Sequence, residues 1–285
     1  MARGELTDQQ WQQLERLLPQ EHSGERGHPW NPHRPILNGM LWILRTGAPW
    51  RDVPERYGPW QTVYDRFVRW RRDGTWSRLF QTLEAEHDAR GDLDWQTCAA
   101  DSTSLKAHPH AAGAHRTQEA AEPADHALGR SRGGLTTKLH LSVEGHARPL
   151  GAVLSAGQRH DSTPLENVLD AVHVPRLGRG RPRQRPKRLI LDRGYSYPRC
   201  RTLLRRRGIA AMIPERRDQR ERRAAKGRRG GRPVYFDPAV YALRSLVERG
   251  ILRLKQWRRI ATRYDKLAVN YHAFVTLAMI LIWLR

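Results

Sequence analysis

The hydrophobic spacing of this chain changes once, after Asp94, and that change limits the fold class more than any other feature. Before it, apolar residues recur at helical intervals. Thr7 is a good N-cap, Trp11, Leu14, Leu17 and Leu18 follow on one face, and Pro19 ends the run. Residues 35–45 form a second helical pattern ending at Thr46-Gly47. Val63, Tyr64, Phe67, Val68 and Trp70 mark a third, and Trp76, Leu79, Phe80 and Leu83 a fourth. Short helices around the turn APWRDVPERYGPW predict a small all-α, helix-turn-helix-like domain over residues 1–95. After Asp94, WQTCAAD, TTKLHLSVEG, ARPLGAVLSAG, KRLILD and GIAAMIP read as strands, with TPLENVLDAV a helix among them. Residues 96–285 are therefore expected to form an α/β (α+β) domain built on a mixed sheet.

Charge divides the chain at the same place. The net charge is +22, from 51 Lys and Arg against 29 Asp and Glu. Residues 1–95 hold 13 arginines and 14 acids, which leaves 38 of the 51 cations and 15 of the 29 acids to residues 96–285. All the excess lies in the second segment, and a polyanion such as nucleic acid is its natural partner. Residues 176–188 and 215–233 are the most basic stretches and read as mobile loops able to track a phosphate backbone. Arg66, Arg69, Arg71 and Arg72, on the third predicted helix, are candidate DNA contacts.

Three carboxylates stand at positions that chemistry would use. Asp101 closes the apolar run WQTCAA, and Asp192 closes KRLIL with Gly194 beside it. In YALRSLVERGILRLKQ, read as one helix, Tyr241, Arg244, Glu248 and Lys255 fall at roughly 0°, 300°, 340° and 320°. They share one arc beside the apolar stripe of Leu243, Val247, Ile251 and Leu254. A strand-end aspartate alone is usually a loop cap. Three acids converging in a basic protein need divalent metal between them, and an all-oxygen donor set suits Mg²⁺ or Mn²⁺.

These blocks carry a resemblance. Tyr241, Arg244, Glu248 and Lys255 match a Y-x₂-R-x₃-E-x₆-K signature at every spacing, and DSTSLKAH, GRSRGGLTTKLHL, LILDRGY and GAPWRDVPERYGPWQTVYDRFVRW are similar to the accompanying blocks. The chain resembles the DDE transposases of the insertion-sequence IS5 family, in the IS4-like group. The resemblance implies an RNase H-like catalytic domain with Asp101, Asp192 and Glu248 as catalytic ligands of two Mg²⁺ or Mn²⁺ ions. It also implies that Tyr241, Arg244 and Lys255 work near the DNA or the acids. The implied reaction is cleavage at the element's ends and joining of the freed 3′-hydroxyls to target DNA. Double-stranded DNA, as terminal inverted repeats and target, would be the substrate, handled by a homo-oligomer. A nuclease on the same fold and a non-catalytic, transposase-derived DNA-binding protein stand as alternatives.

Other features weigh less. Two cysteines, Cys98 and Cys200, make no disulfide framework, and the apolar run 273–284 is too short to span a bilayer. The protein is expected in a bacterial cytoplasm, at the nucleoid when bound to DNA, with no membrane contact. His108, His110 and His115 lack the recurring spacing of a zinc site, and Asp161 reads as the N-cap of the next helix.

Overall fold

The computed structural model describes residues 4–21, 31–114, 119 and 121–285, so His115 lies outside the described residues. Four helices come first. α1 (Asp8–Glu15) opens with a capping box in which Thr7 accepts from the Gln10 N–H and Gln10 Oε1 from the Thr7 N–H. α2 (His33–Thr46) stops at Gly47, whose φ of 71° is open to glycine at little cost. Two single 3₁₀ turns, Trp50–Asp52 and Glu55–Tyr57, lead into α3 (Trp60–Arg72), and α4 (Thr75–Ala89) follows.

The strands are β1 (Thr97–Ala107), β2 (Gly129–Ser131), β3 (Gly134–Val143), β4 (Pro149–Ala156), β5 (Arg188–Ile190), β6 (Ala210–Met212) and β7 (Thr262–Arg263). They form one sheet. β3 lies antiparallel between β4 and β1, while β1, β5 and β6 run parallel, so its backbone order is β4-β3-β1-β5-β6. This is the mixed sheet expected from the strand pattern, in the RNase H-like arrangement that the family resemblance implies. The two-residue β7 pairs with the far end of β1, and β2 with the start of β3.

Helices cover both faces. Leu141 and Val143 on β3 face α9 (Ser245–Lys255), whereas Gly151, out of phase by one residue, meets the end of α5 (Leu165–Asp170) at Ala171. α6 (Pro198–Arg206) packs beside β6 and α10 (Arg258–Ala261) between α2 and α9, α7 (Arg217–Ala225) and α8 (Pro238–Ala242) lie between them in the chain, and α11 (Ala268–Trp283) is buried almost throughout. The Phe67 ring of α3 stacks on Phe274 of α11 at 4.3 Å, with Trp50 beside both. The hydrophobic core is thus continuous from the first helices to the sheet. Among the described residues, no helix is long and apolar enough to cross a membrane.

Three local expectations are corrected. β1 does not end at Asp101 but continues to Ala107, because β3 pairs with it from Ala99 to Lys106 and satisfies the backbone of the polar run STSLK. Residues 215–233 are not all loop, since α7 forms within them. The signature stretch is two helices rather than one: α8 ends at Ala242, and α9 begins at Ser245. Tight i→i+3 bonds join them, from Arg244 N–H to Tyr241 O and from Val247 N–H to Arg244 O.

Candidate active site

Strand register brings the first two acids together. Thr97 lies opposite Arg188 and Ala99 opposite Ile190 in the parallel β1–β5 pair. Continued for two residues, the same register sets Asp101 against Asp192. β5 stops at Ile190, the Leu191 N–H goes to Met212 O, and the chain turns away at Asp192. β1 runs on with β3. The carboxylates therefore stand where two parallel strands part, and where the chain order reverses from β1-β3-β4 on one side to β5-β6 on the other. Such a switch point at the carboxyl ends of strands is a crevice by construction.

The two acids are held differently. Asp192 Oδ1 accepts the Gly194 N–H at 2.7 Å. A Cβ on Gly194 would come within 2.9 Å of that oxygen, so the glycine is the space into which the carboxylate folds. Asp101 Oδ1 accepts the Ser102 N–H at 2.7 Å. Burial raises the Asp101 carboxyl, the Ser102 N–H lowers it, Asp192 raises it and Arg244 lowers it; the balance is a value of about 6.

The third acid arrives on α9. Asp101 and Leu141 are directly opposed across β1 and β3, and α9 lies over Leu141. Gly250 allows this approach: a Cβ there would meet Val143 Cγ1 at 2.7 Å and Leu141 Cδ2 at 3.3 Å. One half-turn earlier, Glu248 projects with its side chain 49% exposed. It does not touch the aspartates. The Arg244 guanidinium stands between, with Nη1 3.3 Å from Asp101 Oδ2 and Nη2 2.5 Å from Glu248 Oε1. Among the described residues, no group of three His, Cys, Asp or Glu stands close enough to hold a metal ion. What the crevice has is an all-oxygen acidic set with a cation already in its midst, which fits a hard divalent ion in donor type.

Comparison with known proteins bears on the chemistry. Residues 6–80 match a family model described as a putative transposase of the IS4/5 family, and residues 95–283 match the transposase DDE domain. The chain belongs to the IS4/5-type DDE transposases. It is 33% identical over 153 residues to a putative transposase for insertion sequence element IS402 of Burkholderia cepacia, a match covering 54% of this chain and 64% of that one. It is 38% identical over 113 residues to an uncharacterized protein, y4sN, of Sinorhizobium fredii (strain NBRC 101917 / NGR234), covering 40% and 85% of the two chains. A crystal structure of a pre-cleavage Mos1 transpososome aligns with TM-score 0.27 and 13% identity, over 89% of this chain and 82% of that one. The protein is thus an enzyme of DNA transposition, and its DDE domain implies dependence on divalent metal.

Within the transposase, the remaining predicted residues take unequal places. Tyr241, on α8, packs its ring on Phe236 at 5.2 Å; burial raises its hydroxyl, with Arg244 opposing and the charges of Asp192 and Asp101 adding to the rise. Lys255 closes α9, seven residues beyond Glu248 and hence about 10 Å along the axis. Arg69 is exposed on α3. Arg71 and Arg72 both pair with Glu119. Arg66 requires correction as a DNA contact. It is 6% exposed, with Nη1 2.5 Å from His33 Nδ1 and its guanidinium 5.8 Å from the Trp70 ring, so it faces the core.

Asp161 also departs from expectation. α5 begins only after Pro164, and Asp161 instead accepts from Lys138 Nζ at 2.8 Å and Ser102 Oγ at 2.6 Å. Burial raises its carboxyl, but these two bonds outweigh burial and hold it below the usual range. It thus anchors the residue that follows Asp101. Gly250 is a site-shaping residue with a signal in the sequence: a glycine inside an amphipathic helix costs about 1 kcal/mol against alanine and points to close packing.

Proposed function

We propose that this transposase cuts DNA at the ends of its own element and joins the freed 3′-hydroxyls to target DNA by direct transesterification. Asp101, Asp192 and Glu248 act as ligands of divalent metal, Mg²⁺ or Mn²⁺, two ions per site. The supporting observation is the register that leads Asp101 and Asp192 to the β1–β5 fork, together with Arg244, which links Asp101 to Glu248 on α9. Two ions bound there would favour the attacking and leaving oxygens of a phosphodiester displacement. The chain's own part is to fix these carboxylates and to hold the DNA. Asp192 is kept in place by the Gly194 N–H and Asp101 by the Ser102 N–H. Tyr241 borders the crevice, while Arg244 and Lys255 supply cations to the scissile strand and its flank.

Duplex DNA with terminal inverted repeats is the proposed substrate, gripped by residues 96–285, while residues 1–95 read its sequence, with Arg69 exposed on α3 to meet it. Two ends must be joined, which calls for a homo-oligomer on DNA, working in the cytoplasm at the nucleoid. The test uses labelled duplexes carrying the DNA that flanks the gene, a target duplex and Mg²⁺. Wild type should nick the ends and form joined products. Asp101→Asn, Asp192→Asn and Glu248→Gln should each lose cleavage by about 100-fold or more while still binding DNA. Cleavage retained in Glu248→Gln would remove it from the site, and cleavage without joined product would make the enzyme a nuclease.

A further inference from the structure

The guanidinium between the acids has a consequence of its own. We propose that Arg244 is an internal counterion that holds the place of the metal: it neutralises Asp101 and Glu248 in the metal-free enzyme, and divalent ions load only as it moves off to a DNA phosphate. The inference rests on the reading of Asp101, Asp192 and Glu248 as the metal site, and it adds that metal and DNA bind cooperatively through one side chain.

Four observations carry it. Arg244 bonds both carboxylates at once, at 3.3 Å and 2.5 Å. Each Asp101 oxygen already accepts a bond, Oδ1 from the Ser102 N–H and Oδ2 from the guanidinium, so an ion approaching Oδ2 competes with Arg244 for the same atom. Among the described residues no three carboxylates are gathered closely enough to hold an ion, as expected when a planar group wider than a metal ion lies between Asp101 and Glu248. Arg244 also lies in the tight turn between α8 and α9, before the regular helix that carries Glu248.

The contact is strong enough to organise the site and weak enough to yield. Arg244 and Glu248 are an i,i+4 pair with partly exposed side chains, and such solvent-screened pairs are weak. Without the arginine, the Asp101 and Glu248 carboxylates would lose the cation they share. Once divalent ions enter, their charge repels the guanidinium from the same oxygens. A phosphate of bound DNA then offers it a new anion, in a geometry that a planar fork matches well. Because each ligand eases the entry of the other, the coupling is reciprocal. The device favours metal loading on the DNA-bound enzyme over the free one.

The test measures Mn²⁺ affinity of the full chain by titration calorimetry or electron paramagnetic resonance, with and without a short duplex, for wild type, Arg244→Gln, Arg244→Lys and Asp101→Asn. Without DNA, Arg244→Gln should bind Mn²⁺ about tenfold more tightly than wild type. Arg244→Lys should fall between them, since a point charge cannot bridge both carboxylates. Adding the duplex should tighten Mn²⁺ binding to wild type and leave Arg244→Gln nearly unchanged. If Arg244→Gln binds Mn²⁺ no better than wild type while Asp101→Asn abolishes binding, the counterion proposal fails and the metal site stands. If Asp101→Asn binds Mn²⁺ as wild type does, the metal-site reading fails and takes the proposal with it.

Discussion

At Asp192 the tightest constraint is a missing side chain. A Cβ on Gly194 would lie 2.9 Å from Asp192 Oδ1 and 3.5 Å from Oδ2. The backbone there is not in the left-handed region, so alanine brings no dihedral strain, and it should even gain a few tenths of a kcal/mol through the unfolded chain. The carboxylate has to turn away. Gly194→Ala should therefore leave the melting temperature unchanged or slightly raised and cut cleavage about 10–100-fold, the usual cost of misorienting a metal ligand. Cleavage within twofold of wild type would mean that Asp192 is not held where the reaction needs it. His140 supports a second prediction. It is buried on β3 beside Ser155, Lys138 and Asp161, and burial pushes it down to about 4 while Asp161 raises it and Lys138 lowers it. A histidine with a depressed folded value stabilises the protein above its unfolded value near 6.5, and that stability is lost as pH falls toward 4. The loss is worth about 3 kcal/mol at most. His140→Gln should flatten the fall in melting temperature between pH 6.5 and 4, and an unaltered slope would show that His140 is not the group protonated.

α9 is placed by the same logic one level up. Gly250 lets it rest on Val143 and Leu141, and its height above the sheet sets where Arg244 and Glu248 stand relative to Asp101. Gly250→Ala improves helix propensity by about 1 kcal/mol, yet its methyl would collide with Val143 at 2.7 Å. The collision should win, costing about 1–3 kcal/mol and most of the activity. Val143→Ala in the same chain should restore much of both, and failure of that rescue would mean that the contact does not set the height. Elements with clear punctuation were legible from sequence: Thr7 and Gly47 bound their helices as read, and apolar runs located β3, β4, β5 and β6. The second half of β1 was not, because STSLK is polar and becomes strand only through pairing with β3. The break between α8 and α9 was equally hidden, since every residue across it tolerates a helix. Arg66 was legible and misread. With Val63 three residues before it and Trp70 four after, it shares the buried face of α3. Of the site, the acids were readable as strand-end and helix-face carboxylates, but the guanidinium between them needs three-dimensional placement.

Across the whole molecule the net charge of +22 is not evenly available. Arg71 and Arg72 are committed to Glu119, and Arg223 to Glu215. By contrast, Arg220, Arg222, Arg228 and Arg229 are exposed on α7 and the turn after it, and none has an ion pair among the described residues. Their ridge adjoins the crevice, because Gln219 Nε2 bonds Ser196 O and Arg216 Nη1 bonds the Tyr197 hydroxyl, just past Asp192. The stacking of Phe67 on Phe274 ties the first helices to the last, so the grip is best dissected in the full chain rather than in fragments. A cation that neutralises a phosphate in the complex contributes a log–log salt slope of about −0.9 on duplex DNA. Replacing Arg220, Arg222, Arg228 and Arg229 together by Gln should make the slope shallower by about 3 to 4 units, equally for element ends and scrambled duplexes. Replacing Arg71 and Arg72 should change it by less than about one unit, because each loss of charge also frees Glu119 from a partner it already neutralised. Fluorescence anisotropy titrations of the full-length variants at several salt concentrations give the slopes. Equal changes for the two sets, or none for the α7 ridge, would place the phosphate-tracking surface elsewhere on the molecule.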